Sequence, residues 1–121
     1  MGTLVDGGSP AQDTKPDPEL KALLDGVRAR LRAHYGRRLA DVVLHGSVAR
    51  GTYEAESDVD LLVLLRGELD YFRELRTLVD LLYSLQLDHG RVVSALPASA
   101  DEYRAGALQL YRNAAREGIA L

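Results

Sequence analysis

The chain has no cysteine, no tryptophan, one phenylalanine and one methionine among its 121 residues. Without cysteine, disulfides, thiolate zinc sites, iron–sulfur clusters and cysteine nucleophiles are excluded. Such a chain suits a reducing compartment. With so few aromatics, a base-stacking platform for single-stranded nucleic acid is not expected. Positive charge is not in excess either: 15 Lys and Arg stand against 18 Asp and Glu, a net −3. That argues against a broad phosphate-gripping surface, though not against a local basic pocket. No apolar run approaches the ~20 residues of a membrane span. The opening MGTLVDGGSPAQDTKPDP has neither the basic nor the apolar region of a signal peptide, so a cytoplasmic location is expected.

What is present is an ordinary globular composition, 46% hydrophobic and 27% charged, in a length that fits one domain with one core. Residues 1–17 are rich in Gly, Pro and Asp and are expected to form a disordered N-terminal tail. The folded domain is expected over 18–121. Asp17 reads as an N-cap and Pro18 as the first helical position. Leu20, Leu23, Leu24, Val27, Leu31 and Tyr35 then repeat at helical spacing as far as Gly36, predicting a helix over 18–35. Leu39–His45 reads as a strand entering Gly46-Ser47, with a short helical turn beyond and a polar loop over Thr52–Glu56. Asp58–Leu65 reads as a second strand, central because its apolar residues fall on both faces.

Leu69, Phe72, Leu75, Leu78, Val79, Leu82 and Leu85 predict an amphipathic helix over 68–87, followed by a turn at Asp88-His89-Gly90. Arg91–Leu96 reads as a third strand stopped by Pro97. Ser99 caps a short helix, and Leu108, Tyr111, Ala115 and Ile119 mark a last helix ending near Gly118. The fold class is a small α/β (α+β) domain, a short mixed sheet with helices packed on it. The link between the first two strands is short for a parallel crossover, so that pair is antiparallel or mixed.

Two features carry chemistry. At Gly46-Ser47 a strand ends in a residue that lets backbone approach a ligand closely. A helix start there would present N–H groups to an anion, although Gly-Ser turns are common in plain loops. Asp58 and Asp60 lie two apart, on one face of a strand. Unpaired, two such carboxylates repel. A hard divalent cation resolves that conflict in phosphate chemistry, and a solvated strand end is the plain alternative.

Gly46-Ser47, ten residues, then Asp58-x-Asp60 is similar to the signature of the DNA polymerase β-like nucleotidyltransferase superfamily. The string GSVARGTYEAESDVDLLV resembles its minimal nucleotidyltransferase (MNT) subgroup. Element order extends the likeness over about residues 19–121, and YRNAAREGIAL looks like the last helix of small MNT proteins. The resemblance implies the polymerase β-like fold, with Gly46 and Ser47 on the β- and γ-phosphates of a nucleoside triphosphate. It implies Asp58 and Asp60 as catalytic residues holding Mg²⁺. Arg50 would support the triphosphate or brace the loop by a salt bridge, and Ser57 would order the loop. A hydroxyl would attack the α-phosphate in line, releasing pyrophosphate.

The sequence departs from the family in one respect. Active members usually carry a third carboxylate on a later strand, on the same face, and the matching position here is Ser94, or Val93 in the other register. Asp88, Asp101 and Glu102 lie nearby in sequence only. Small MNT proteins resemble the antitoxin half of HEPN–MNT toxin–antitoxin pairs. That implies transfer of AMP from ATP to a tyrosine of a HEPN RNase toxin. The alternatives are a degenerate module that neutralises the toxin by binding alone, and a small-molecule (aminoglycoside-type) nucleotidyltransferase. A homodimer or hetero-oligomer fits the small size.

Elsewhere, His45 reads as a packed strand-end residue, and His34 and His89 as surface. Arg28, Arg30, Arg32, Arg37 and Arg38 read as a solvated basic face, and Tyr103 and Tyr111 as helix packing.

Overall fold

The run Val59–Leu65 is buried at every position except Asp60, and such a strand needs cover on both faces. The computed structural model, which describes residues 17–51 and 57–121, supplies it. In chain order the elements are α1 (Pro18–Tyr35), a 3₁₀ turn (Gly36–Arg38), β1 (Leu39–His45), α2 (Gly46–Arg50) and β2 (Val59–Leu65). They continue with α3 (Tyr71–His89), β3 (Val93–Ser99), α4 (Ala100–Ala105), α5 (Gln109–Glu117) and β4 (Ile119–Ala120). The strands form one four-stranded sheet in the order β3-β2-β1-β4. β2 runs antiparallel to β1 and parallel to β3, and β4 is antiparallel to β1. The long α3 crossover is what permits the parallel pair. The fold class is therefore mixed α/β, with β2 central as expected.

Strand alternation divides the core. Val59, Leu61, Val63 and Leu65 meet Leu23, Val27 and Leu31 of α1 and Leu78, Leu82 and Leu85 of α3. On the other face Leu62, Leu64 and Val43 meet Ala98 and Ala100 together with Tyr111 and Ala114 of α5.

Several boundaries differ from expectation, each for a local reason. α1 matches: the Asp17 side chain accepts the Glu19 N–H at 2.9 Å, with Pro18 behind it. α3 begins at Tyr71, not 68, because Asp70 caps it by accepting the Arg73 N–H at 3.3 Å. It continues through Asp88 and His89 to Gly90, whose φ of 61° makes the left-handed stop. Pro97 does not end the third strand. It lies within β3, opposite Val63; β3 has β2 as its one neighbour, and an edge strand tolerates a residue without N–H. Arg91 and Val92 precede the strand. Phe72 and Val79, expected in the core, are 78% and 55% exposed. Leu108, Ala115 and Ile119 are also exposed, while Tyr111 is buried as the pattern implied, joined by Ala114. β4 has two residues, too few for a periodic signal.

The basic face is solvated at Arg32 and Arg37 but not throughout. Glu74 is buried, and it accepts the Tyr35 hydroxyl at 3.0 Å and an Arg38 N–H at 2.6 Å. Arg38 also donates to the carbonyls of Arg66 (3.2 Å) and Glu68. Arg66 donates to the carbonyls of Arg37 and Leu39 at 2.6 and 3.1 Å, and Arg30 to that of Leu81 at 3.0 Å. Burial, with the Glu74 contact second, pushes the Tyr35 hydroxyl well above its usual pKa.

Of the tail expected over 1–17, residues 1–16 lie outside the described residues, as does the Thr52–Glu56 loop, while Asp17 caps α1. Among the described residues no helix is long and apolar enough to cross a membrane.

Candidate active site

One row of side chains crosses three strands. His45 at the end of β1 pairs with Asp60 of β2, and Asp60 pairs with Ser94 of β3. All three share one face of the sheet by alternation. Asp58, one residue before β2, falls on the same side as Asp60 by that alternation; it is exposed, while Asp60 is half-buried. The entry of β2 is tied by Val59 N–H to Val92 O at 2.9 Å and by Arg91 Nε to Ser57 O at 3.1 Å.

Gly46 is fixed by two independent requirements. Its φ is 76°, in the region L-residues rarely adopt. A side chain there would also run into the Asp60 carboxylate, since an added Cβ would collide with Oδ2. Backbone and carboxylate are thus pressed together with no intervening side chain. Beyond Gly46, α2 is little more than one turn. Val48 anchors it in the main core, and half-buried Ser47 stands at its start. At its outer end Arg50 pairs with Glu117 of α5 at 3.7 Å, both partly exposed. The contact ties the outer end of α2 to α5. The sequence pattern gave no sign of Glu117, which approaches only through the fold, nor of Arg91 as the residue gripping the Ser57 carbonyl.

His45 is half-buried, and its Nε2 is buried without a hydrogen-bond partner among the described residues. Burial lowers its pKa, opposed in part by Asp60, so the imidazole is favoured in its neutral form. None of the ion pairs among the described residues involves Asp58 or Asp60.

The register decides between Ser94 and Val93. Ser94 is exposed beside Asp60, whereas Val93 pairs with Val59 and is buried. Asp101 and Glu102 open α4 beyond Ser99, which pairs with Leu65 at the opposite end of the sheet. Among the described residues no group of three or more His, Asp or Glu is placed to hold a metal. The pair Asp58 and Asp60 nevertheless fits Mg²⁺ in kind. It would offer hard oxygen donors to such an ion, with an open side toward phosphate and water. The space Gly46 leaves against Asp60 belongs to the same arrangement.

Comparison with known proteins agrees with this geometry. Residues 24–118 match the family model described as a nucleotidyltransferase domain. A protein of Methanocaldococcus jannaschii named "Putative protein adenylyltransferase" is 34% identical over 104 residues, covering 85% of this chain and 97% of that one. A solved "putative minimal nucleotidyltransferase" is 30% identical with a TM-score of 0.53, over 89% of this chain and 99% of that one. A crystal structure of a toxin–antitoxin with AMP-PNP gives a TM-score of 0.56 at 21% identity, over 79% of this chain and 70% of that chain. At that identity the likeness is one of fold. With the family model spanning most of its length and a relative at 34% identity over nearly all of the domain, the chain belongs to the nucleotidyltransferase domain family and is a nucleotidyltransferase.

Proposed function

We propose that this nucleotidyltransferase is a cytoplasmic antitoxin that moves AMP from ATP onto a tyrosine hydroxyl of a HEPN RNase toxin, with Mg²⁺. The observation that carries the reading is the contact of Gly46 with the Asp60 carboxylate. It joins the turn suited to phosphates to the acid pair suited to a cation. The acceptor class is supported by the relative named for protein adenylyl transfer and by the shared fold of a toxin–antitoxin with AMP-PNP.

In this reading Gly46 and Ser47 receive the β- and γ-phosphates, and Asp58 and Asp60 hold Mg²⁺. When bound, the ion supplies charge neutralisation for the reacting phosphate and the departing pyrophosphate. Arg50, held by Glu117, braces the turn, and Ser57, its carbonyl gripped by Arg91, fixes the strand entry. The tyrosine oxygen attacks the α-phosphorus. The bond from that phosphorus to the pyrophosphate oxygen breaks, and the hydroxyl proton passes to solvent. Ser94 supplies no base. A phenol with an ordinary pKa of about 10 needs less help than an aliphatic alcohol. AMP on the toxin adds bulk and negative charge, which repels RNA phosphate.

Ser94 beside Asp60 favours one second reading, a module that neutralises the toxin by binding alone. Intact mass of both chains after incubation with Mg²⁺ and ATP separates the two. A gain of AMP on the toxin, absent with Asp58→Asn plus Asp60→Asn, is expected. A stable complex with no mass change overturns transfer in favour of occlusion. AMP appearing on a free aminoglycoside instead makes this a small-molecule enzyme.

A further inference from the structure

α3 buries one side and leaves an apolar stripe on the other. Leu78, Leu82 and Leu85 enter the core with Glu74. At 100° per residue, Phe72, Val79, Tyr83 and Leu87 fall together on the opposite side, within about a quarter-turn of one another. They are 78%, 55%, 60% and 63% exposed. Four large apolar side chains in line over most of a 19-residue helix are unlike the single exposed hydrophobics normal on a surface. Among the described residues, the face of α3 that carries Phe72 and Val79 is therefore left largely uncovered.

The charges along the stripe indicate what covers it. Arg76, in the N-terminal half of α3, lies on the stripe, and Asp80, at the helix midpoint, lies at its edge; both are exposed. Among the described residues no ion pair engages Arg76 or Asp80. The stripe is also balanced about the point between Val79 and Asp80. Phe72 and Leu87 lie equally far from it, as do Arg76 and Tyr83. A symmetric apolar line with one basic residue on it and one acidic residue at its centre is complementary to itself when turned through a two-fold axis. A second α3 laid antiparallel would set Phe72 against Leu87 and Val79 near Val79. It would set Arg76 over the Tyr83 ring, a cation–π arrangement, within reach of Asp80.

We infer that two copies of this chain associate through antiparallel α3 helices about a two-fold axis near Val79. The proposal does not depend on which acceptor receives AMP. α3 ends beside β3, whose start carries Ser94 next to Asp60. The antiparallel pair therefore puts the two candidate active sites at opposite ends of the seam, and neither is covered by it.

Sedimentation velocity on the full chain, from about 1 to about 200 μM, tests this by mass action. A concentration-dependent dimer is expected, with Val79→Asp weakening it by at least about 100-fold, as loss of a central contact does. Circular dichroism checks that the variant is folded. Charge exchange supplies the decisive arm. Arg76→Asp alone and Asp80→Arg alone each set like charges against like and should be monomeric. Mixing the two variants should restore a dimer, because each then faces its opposite. A wild type that stays monomeric throughout overturns the proposal and gives the stripe to a different protein. A dimer indifferent to Val79→Asp and to both charge changes overturns it too, since another face would then be in use.

Discussion

At the end of the sheet where α1 turns into β1, a buried carboxylate is fully engaged. Glu74 takes a hydroxyl from Tyr35 and a guanidinium from Arg38, and that guanidinium reaches on to two backbone carbonyls. At the opposite end Asp60 sits half-buried against Gly46 with Asp58 beside it, and none of the described ion pairs reaches either. The same functional group is used in two ways. Where the chain supplies the cation, the carboxylate fixes the packing of α1 against α3. Where two carboxylates share one face and none of the described ion pairs engages them, they would suit a hard divalent cation. The first pattern belongs to the fold; the second is what the proposed chemistry would use.

Substitutions at the two ends should therefore separate activity from stability. Asp58→Asn with Asp60→Asn should lower nucleotidyl transfer by at least about 10³-fold, roughly 4 kcal/mol of barrier, measured as label transferred from ATP. Its urea midpoint should match wild type within about 0.5 kcal/mol. A large stability loss would show that this pair is structural. Glu74→Ala should do the reverse, costing about 2 kcal/mol because the half-buried Arg38 guanidinium and the Tyr35 hydroxyl lose their shared partner, with transfer per folded molecule unchanged. A midpoint close to wild type would mean water replaces the carboxylate there.

Tyr35→Phe tests the same node more gently, at about 1 kcal/mol for one hydrogen bond. It also carries a pH signature. The folded state holds the Tyr35 hydroxyl protonated above its usual range. Its contribution to stability is therefore complete below about pH 10, where the unfolded tyrosine begins to ionise, and is lost as pH rises above that value. Tyr103 and Tyr111 shift in the same direction through burial. Denaturation followed from pH 8 to 12 should show stability falling at the alkaline end, less steeply in the variant. The smallest effect belongs to the exposed brace. Glu117→Ala should change stability by under about 0.5 kcal/mol. It should raise the KM for ATP by a few-fold at most; a loss comparable to that of the aspartates would make Arg50 a phosphate ligand held by Glu117.

Much of this was legible in the sequence, for physical reasons that vary by element. α1 could be read end to end because Asp17, Pro18 and Gly36 mark its limits and its buried leucines repeat at one period. β2 declared itself central by being apolar on both faces around Asp60. The position beside Asp60 was narrowed to Ser94 or Val93, and the parallel register of β2 and β3 was needed to choose Ser94. Contacts made by distant residues did not show. Nothing local marks Glu74 as the partner of Arg38, or Glu117 as that of Arg50. Pro97 misled because a rule about ladder bonds was applied to a strand whose outer edge needs none. Phe72 and Val79 misled because α3 has two apolar faces, and periodicity does not say which one meets this chain's core.

The two residues of β4 pair with Val43 and Leu44, and the Leu121 N–H reaches Val42 O at 2.8 Å. During synthesis the chain leaves the ribosome from its N-terminus, at about 5–20 residues per second. β1 and β2 can zip together early, but the strand that shields the far side of β1 emerges some 75 residues after it. For those seconds the nascent sheet presents an open, largely apolar edge, the kind that captures other strands. A newly made molecule is most exposed to misassembly just before its last three described residues arrive.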